Sequence, residues 1–136
     1  MKILSLIITV IFFAFKVYGH GTIIIQGVEH EKGEIDVKIY MDKNSFLKEE
    51  LAVESIRKKP TKGETIIPLT KIHEGQIAIV VYHDEDGNGE LKTGLFWTPK
   101  EGFAFSNNYT PKGPPNFKKA SIELIHGKPV IIELNY

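Results

Sequence analysis

The chain contains no cysteine, and its 17 basic and 17 acidic side chains cancel with histidine neutral. The first absence excludes disulfides, thiolate metal sites, cysteine nucleophiles and lipid anchors attached through a thiol. The charge balance removes any broad electrostatic case for binding nucleic acid or an anionic membrane. Enzyme signatures are equally scarce. There is no G-x-S-x-G elbow and no phosphate-cradling glycine loop. His30-Glu31 and His73-Glu74 begin like a zinc-protease helix, but Glu34 and Ile77 stand where its second histidine belongs. No apolar run reaches the roughly 20 residues of a membrane-spanning helix.

What is present begins with a targeting pattern. Lys2 supplies positive charge, Ile3 to Phe15 is apolar, and Val17-Tyr18-Gly19 offers small or tolerated residues before a cut. Cleavage is placed after Gly19, making 1–19 a signal peptide. The remaining 136 − 19 = 117 residues, 20–136, form one domain exported to the periplasm or the extracellular space. A small exported domain without disulfides gains rigidity from a bound metal.

The rest of the chain is patterned for strands. Thr22 to Val28 holds the β-branched run Ile23-Ile24-Ile25, and Ile35, Val37, Ile39 and Met41 alternate with Asp36, Lys38 and Tyr40. Glu31-Lys32-Gly33 between them reads as a hairpin turn. Val53 to Arg57 and Thr65 to Leu69 are weaker strands, and Pro68 makes the second an edge strand or a strand end. Ile77 to Tyr82 is apolar almost throughout, as in a central strand covered on both faces. Ala120, Ile122 and Leu124 alternate, as do Val130, Ile132 and Leu134 after a turn at His126-Gly127. One short helix is expected over Ser45 to Leu51, capped by Asn44 or Ser45. The expected fold is all-β, an antiparallel β-sandwich of about seven strands of the immunoglobulin or transthyretin type. A long loop, Glu90 to Phe117, carries Phe96, Trp97, Phe103, Phe105 and Tyr109 and is expected to fold back over one end of the sandwich.

The most informative segment is His83-Asp84-Glu85-Asp86-Gly87-Asn88-Gly89-Glu90-Leu91. Asp84, Asp86 and Asn88 place oxygens at alternate positions, as a hard cation such as Ca²⁺ requires, and Gly89 falls where a calcium loop turns sharply. With Asp84 as position one, the backbone carbonyl of Glu90 serves at position seven. Position twelve is Leu95, not glutamate, and the loop follows a strand, so it is not an EF-hand. Glu85, Glu101 or a loop oxygen would complete the shell, with an expected affinity on the order of 10⁻⁴–10⁻³ M. The plainer alternative is that Asp-Gly and Asn-Gly make tight turns with solvated carboxylates.

From Gly75 to Phe117 the chain resembles domain-of-unknown-function family 2141, a group of small exported bacterial proteins. The matching pieces run from Ile79 to Gly89, then Gly94-Leu95, Pro99 to Asn108, Gly113 to Phe117 and Ala120. The strand Ile35 to Tyr40 followed by Phe46-Leu47 is similar to that family's earlier half. The resemblance implies an exported β-sandwich of uncharacterised role. It also marks a departure: Lys92 stands where the family usually carries an acid that would help hold a cation.

Three further groups carry chemistry. His83 suits a transition-metal ligand, a general base, or a buried histidine hydrogen-bonded to the following loop, the last being the simplest. Trp97 and Tyr109, each with an apolar body and a polar tip, are candidate ligand-binding rings for a carbohydrate, the phenylalanines being expected to form a satellite core. A His20 freed as the N-terminal residue would chelate copper through its amine and ring, as in the lytic polysaccharide monooxygenases, with His73, His83 or His126 as unplaced partners. The expected role is a non-enzymatic exported structural or binding module with an acidic loop for calcium. A carbohydrate-binding module and a metal-dependent enzyme built on His20 are the alternatives. The natural ligand, a glycan or another exported protein, is not specified by the sequence.

Overall fold

The computed structural model describes residues 20–89 and 101–136. Among these residues, eight strands form two sheets. In chain order they are β1 (Thr22–Val28), β2 (Glu34–Tyr40), β3 (Glu54–Lys58), β4 (Gly63–Pro68), β5 (Gly75–Asp84), β6 (Phe103–Phe105), β7 (Ser121–Leu124) and β8 (Val130–Glu133). One sheet runs β4-β1-β8. The other runs β3-β2-β5-β6, with β7 on β5 as well. The pairings are antiparallel except that of β1 with β8, where Ile23 lies beside Val130 and Gln26 beside Glu133 in parallel. The fold is the expected all-β sandwich, closed by one parallel pair.

Period-two alternation builds the core. Ile23 and Ile25 of β1, Ile67 of β4 and Ile132 of β8 point from one sheet, and Ile35, Val37, Ile39, Ile77, Ile79 and Val81 from the other. The five-stranded sheet is covered on its outer face too. There Tyr40, Ala78, Val80, Tyr82, Phe103, Phe105 and Ala120 are buried, with Phe46, Leu47, Tyr109 and Phe117 packed against them. β5 is therefore apolar on both faces, which explains its unbroken run. Pro68 ends β4, an edge strand of the three-stranded sheet, where its missing N–H costs no ladder bond.

Several expected connections differ. The turn after β1 does not make a hairpin, because β1 and β2 lie in different sheets. The turn expected at His126-Gly127 is present, and it leads from β7 in one sheet to β8 in the other. The helix expected over Ser45 to Leu51 shrinks to a 3₁₀ turn, Glu49–Leu51. The Asp42 carboxylate accepts the amides of Asn44 and Ser45 as an N-cap would, but Leu47 takes a left-handed φ of 64°, which a right-handed helix cannot pass through. The α-helical turn is α1, Phe117–Ala120, capped by the Asn116 side chain accepting from the Lys119 amide.

The aromatic segment also contains a strand. Phe103 to Phe105 pair with Val80 to Tyr82, and β7 continues the same edge of β5 from Ala78 to Gly75. At the break between β6 and β7, Ser106 stands in for backbone. Its hydroxyl accepts from the Ile79 amide and donates to the Ala120 carbonyl, so the ladder is bridged by a side chain. Phe96 and the rest of residues 90–100 lie outside the described residues.

Candidate functional site

β5 ends at one end of the sandwich, and alternation there sends two neighbouring side chains to opposite faces. His83 and Asp84 are both fully buried. Each organises a separate polar group.

On the Asp84 face, the carboxylate folds the following bend around itself. Oδ2 accepts from the Gly89 amide at 2.7 Å and from Arg57 Nη2 at 3.2 Å, and Oδ1 accepts from the Asn88 amide at 3.1 Å. Asp86 also accepts from the Asn88 amide, at 3.2 Å. Asp84, Asp86 and Glu101 each bring one oxygen within 4.8 Å of the other two. That spread matches oxygens around a single Ca²⁺, whose bonds of about 2.3–2.6 Å put opposite ligands about 5 Å apart. Of the expected ligands, Asp84, Asp86 and Glu101 are thus brought together. Asn88 lies in the same bend, contributing its amide to the two aspartates. Glu85 turns the other way, toward His30. Glu90, Lys92 and Trp97 lie outside the described residues.

Arg57 extends this face into a charge network. Its guanidinium reaches Asp36 at 2.9 Å, Asp84 at 3.2 Å and Glu34 at 3.2 Å. Asp36, 1% exposed, also accepts from Lys38 at 2.9 Å and from the Tyr82 hydroxyl at 2.9 Å. Burial, then the Asp36 charge, pushes the Tyr82 phenol above its ordinary range, so it stays a proton donor. The hydrogen bond to Asp36 likewise raises Arg57, which stays charged. The bend therefore already holds one internal cation, a guanidinium, beside its grouped oxygens. A carboxylate offers about four acceptor sites, and the three bonds at Asp84 leave room there for one more partner.

On the His83 face, the hydrogen bonds fix the tautomer. The Lys32 carbonyl can only accept, so His83 Nε2 carries the proton and Nδ1 accepts from the Tyr136 hydroxyl at 2.7 Å. That hydroxyl in turn accepts from the Glu29 amide at 3.2 Å. Burial pushes the Tyr136 phenol up, keeping it a donor. His30 stacks beside His83 with ring centroids 4.6 Å apart, accepts the Lys32 amide at Nδ1, and donates from Nε2 to Glu85 at 2.6 Å. His83 is thus a buried, hydrogen-bonded histidine, but its partners are the loop before β2 and Tyr136 rather than the acidic bend. Two glycines allow the close approach. A Cβ on Gly33, at φ 68°, would lie 1.9 Å from the Asp84 carbonyl, and one on Gly102 would lie 2.5 Å from the Tyr136 ring.

Tyr109 is half-buried. Its ring packs against Phe105 with centroids 5.4 Å apart, and its hydroxyl accepts from the Asn116 amide. Phe103 and Phe105 belong to the outer-face core, with Phe103 edge-on to Phe105. His20 Nδ1 sits 3.1 Å from His73 Nδ1, and both residues are exposed.

A family model described as an uncharacterized protein conserved in bacteria, DUF2141, matches residues 23–133. The chain belongs to that family. The DUF2141 match spans both faces of the β5 end and all eight strands of the sandwich except Thr22. Neither the curated proteins nor the solved structures contain a match to the chain. In this DUF2141 chain, sequence reading missed Asp36, Arg57, Tyr82, His30 and Tyr136 as members of the site. Asp36 and Lys38 look like solvent-facing residues of an alternating strand. They are buried because the outer face of the sheet is covered. Arg57 and Tyr136 meet their partners through tertiary contacts 21 to 107 residues apart, which no local spacing reveals.

Proposed function

We propose that this protein is an exported, non-enzymatic β-sandwich module whose acidic bend takes up Ca²⁺ and is stiffened by it. One observation carries the reading: Asp84, Asp86 and Glu101, from two separate segments, present oxygens within 4.8 Å of one another. The donor set is all oxygen, the chemistry of a hard cation. A bound ion would fasten the bend after β5 to the start of β6. It would act as a clamp, and the binding work would fall to the surface that the clamp holds in place.

Thermal melts in calcium and in chelator test this. At ten times a dissociation constant on the order of 10⁻³ M, the native state gains about 1.4 kcal/mol, a rise in Tm of about 4–8 °C for a domain of this size. Asp86→Asn and Glu101→Gln should abolish the rise. Superimposable melts with and without calcium would remove the proposal. Sequencing the N-terminus of the protein recovered outside the cytoplasm tests export, with His20 the expected first residue.

The His20–His73 contact favours a second reading, a copper site completed by a freed His20 amine. Two ring nitrogens 3.1 Å apart suit adjacent ligands of one ion. Copper bound by the processed chain and lost in His73→Ala supports it. Processing at any bond other than Gly19–His20 removes it.

A further inference from the structure

We propose that His30, His83 and Glu85 form a second cation site, made for a transition ion of the zinc class. It shares none of the three grouped oxygens of the calcium reading and stands whether or not calcium binds. Each of the three residues offers a ligand atom, and these atoms lie within 4.8 Å of one another. They come from three places in the fold: the loop after β1, the end of β5, and the bend beyond it. Two imidazoles and one carboxylate make an N₂O set that zinc accepts readily and calcium does not.

The surroundings of His83 are those of a metal ligand. A ligating imidazole keeps its second ring N–H on a carbonyl or carboxylate, which fixes its orientation. His83 Nε2–H already donates to the Lys32 carbonyl, and the ring is fully buried. With Nε2–H held by that carbonyl, Nδ1 is the nitrogen left to ligate, and the group now on it is the Tyr136 hydroxyl. Tyr136 is 46% exposed, and ligation requires its hydroxyl to leave Nδ1. The second imidazole is already beside the carboxylate, His30 Nε2 lying 2.6 Å from Glu85 Oε1. Neighbouring ligands of a tetrahedral ion with bonds of about 2.0–2.1 Å are about 3.3 Å apart, so this pair opens by less than 1 Å. For His30 to ligate, its Nε2 proton moves to Nδ1, and the Lys32 amide that Nδ1 now accepts turns to solvent. Zinc there would join the loop after β1 to the bend after β5.

The test is titration of the purified, metal-stripped full chain with zinc chloride in competition with a chromophoric chelator. One zinc per chain is expected, with binding roughly tenfold or more weaker in His30→Ala and in Glu85→Gln. Both residues are only half-buried, so these variants keep the fold that His83→Ala endangers. Tyr136→Phe, by freeing Nδ1, is expected to tighten zinc binding, which a purely structural role would not do. Asp86→Asn and Glu101→Gln are expected to leave zinc binding unchanged, separating this site from the calcium reading. The proposal is overturned by zinc binding of full strength in His30→Ala, by its loss in His73→Ala instead, by weaker binding in Tyr136→Phe, or by no zinc uptake at all.

Discussion

His83 and Asp84 are adjacent in sequence, equally buried, and held by opposite physical means. Asp84 is a charge, and what surrounds it is a cation and two amide dipoles. His83 is held by a hydroxyl and a carbonyl in a chain of neutral hydrogen bonds. A strand that ends between two covered faces thus serves both solutions one residue apart. The charged solution costs desolvation and depends on its partner staying in place; the neutral one costs less to bury and less to lose. The difference teaches that burial alone does not specify a site's chemistry, and that the partners do.

The comparison breaks first at Gly33, packed on the backbone where β5 leaves Asp84 for the bend. Gly33→Ala forces a Cβ onto the Asp84 carbonyl in a left-handed backbone, so a loss of about 3–5 kcal/mol or failure to fold is expected in urea denaturation. Next comes the charged face. Asp36→Ala takes a shared carboxylate from Lys38, the Tyr82 hydroxyl and Arg57, which keeps Asp84 and Glu34, and should cost about 3 kcal/mol. On the neutral face, Tyr136→Phe should cost about 1–2 kcal/mol, because it leaves the Glu29 amide and His83 Nδ1 without that hydroxyl. If the two faces cost the same, the contrast between them fails.

The smallest effect is in pH. Tyr40 is pushed up to about 12 by burial and then by Glu49, and Tyr82 and Tyr136 are raised in the same direction. For a raised group the contribution is complete below the unfolded value near 10 and fades as pH climbs toward the folded one. Stability should therefore decline above pH 10, more gently in Tyr82→Phe than in the parent, as followed by alkaline titration of the unfolding midpoint. Asp42 runs the other way. Amide and hydroxyl donation from Ser45, then the Asn44 amide, hold it below the usual carboxylate range. Its support is present above the ordinary carboxylate pKa and disappears as pH falls through the folded value.

The sheet architecture was legible where local pattern and tertiary setting agree. The apolar run at Ile77 to Tyr82 marked a doubly covered central strand, and Pro68 marked an edge. Phe103 to Phe105 were hidden by Phe, Gly and Pro neighbours that read as a loop. The strand is only three residues long, too short for a period to show. The Ser45 to Leu51 helix was over-read because propensity does not see Leu47 taking a left-handed φ of 64° where it packs against its outer-face neighbours. At the site, Asp84 and Asp86 announced themselves by spacing, and Glu101 was reachable as a candidate. The Arg57 and Tyr136 contacts were not, since they exist only after the chain has closed.

That closure has a kinetic consequence. β1, among the first described residues, is hydrogen-bonded in parallel to β8, the last strand, through pairs such as Ile23 with Val130. Non-local pairing of this kind defers the reward for ordering the early segment. On the ribosome, β1 has one flank uncovered until residues 130–133 emerge. A nascent chain halted before them would therefore keep one flank of its opening segment accessible.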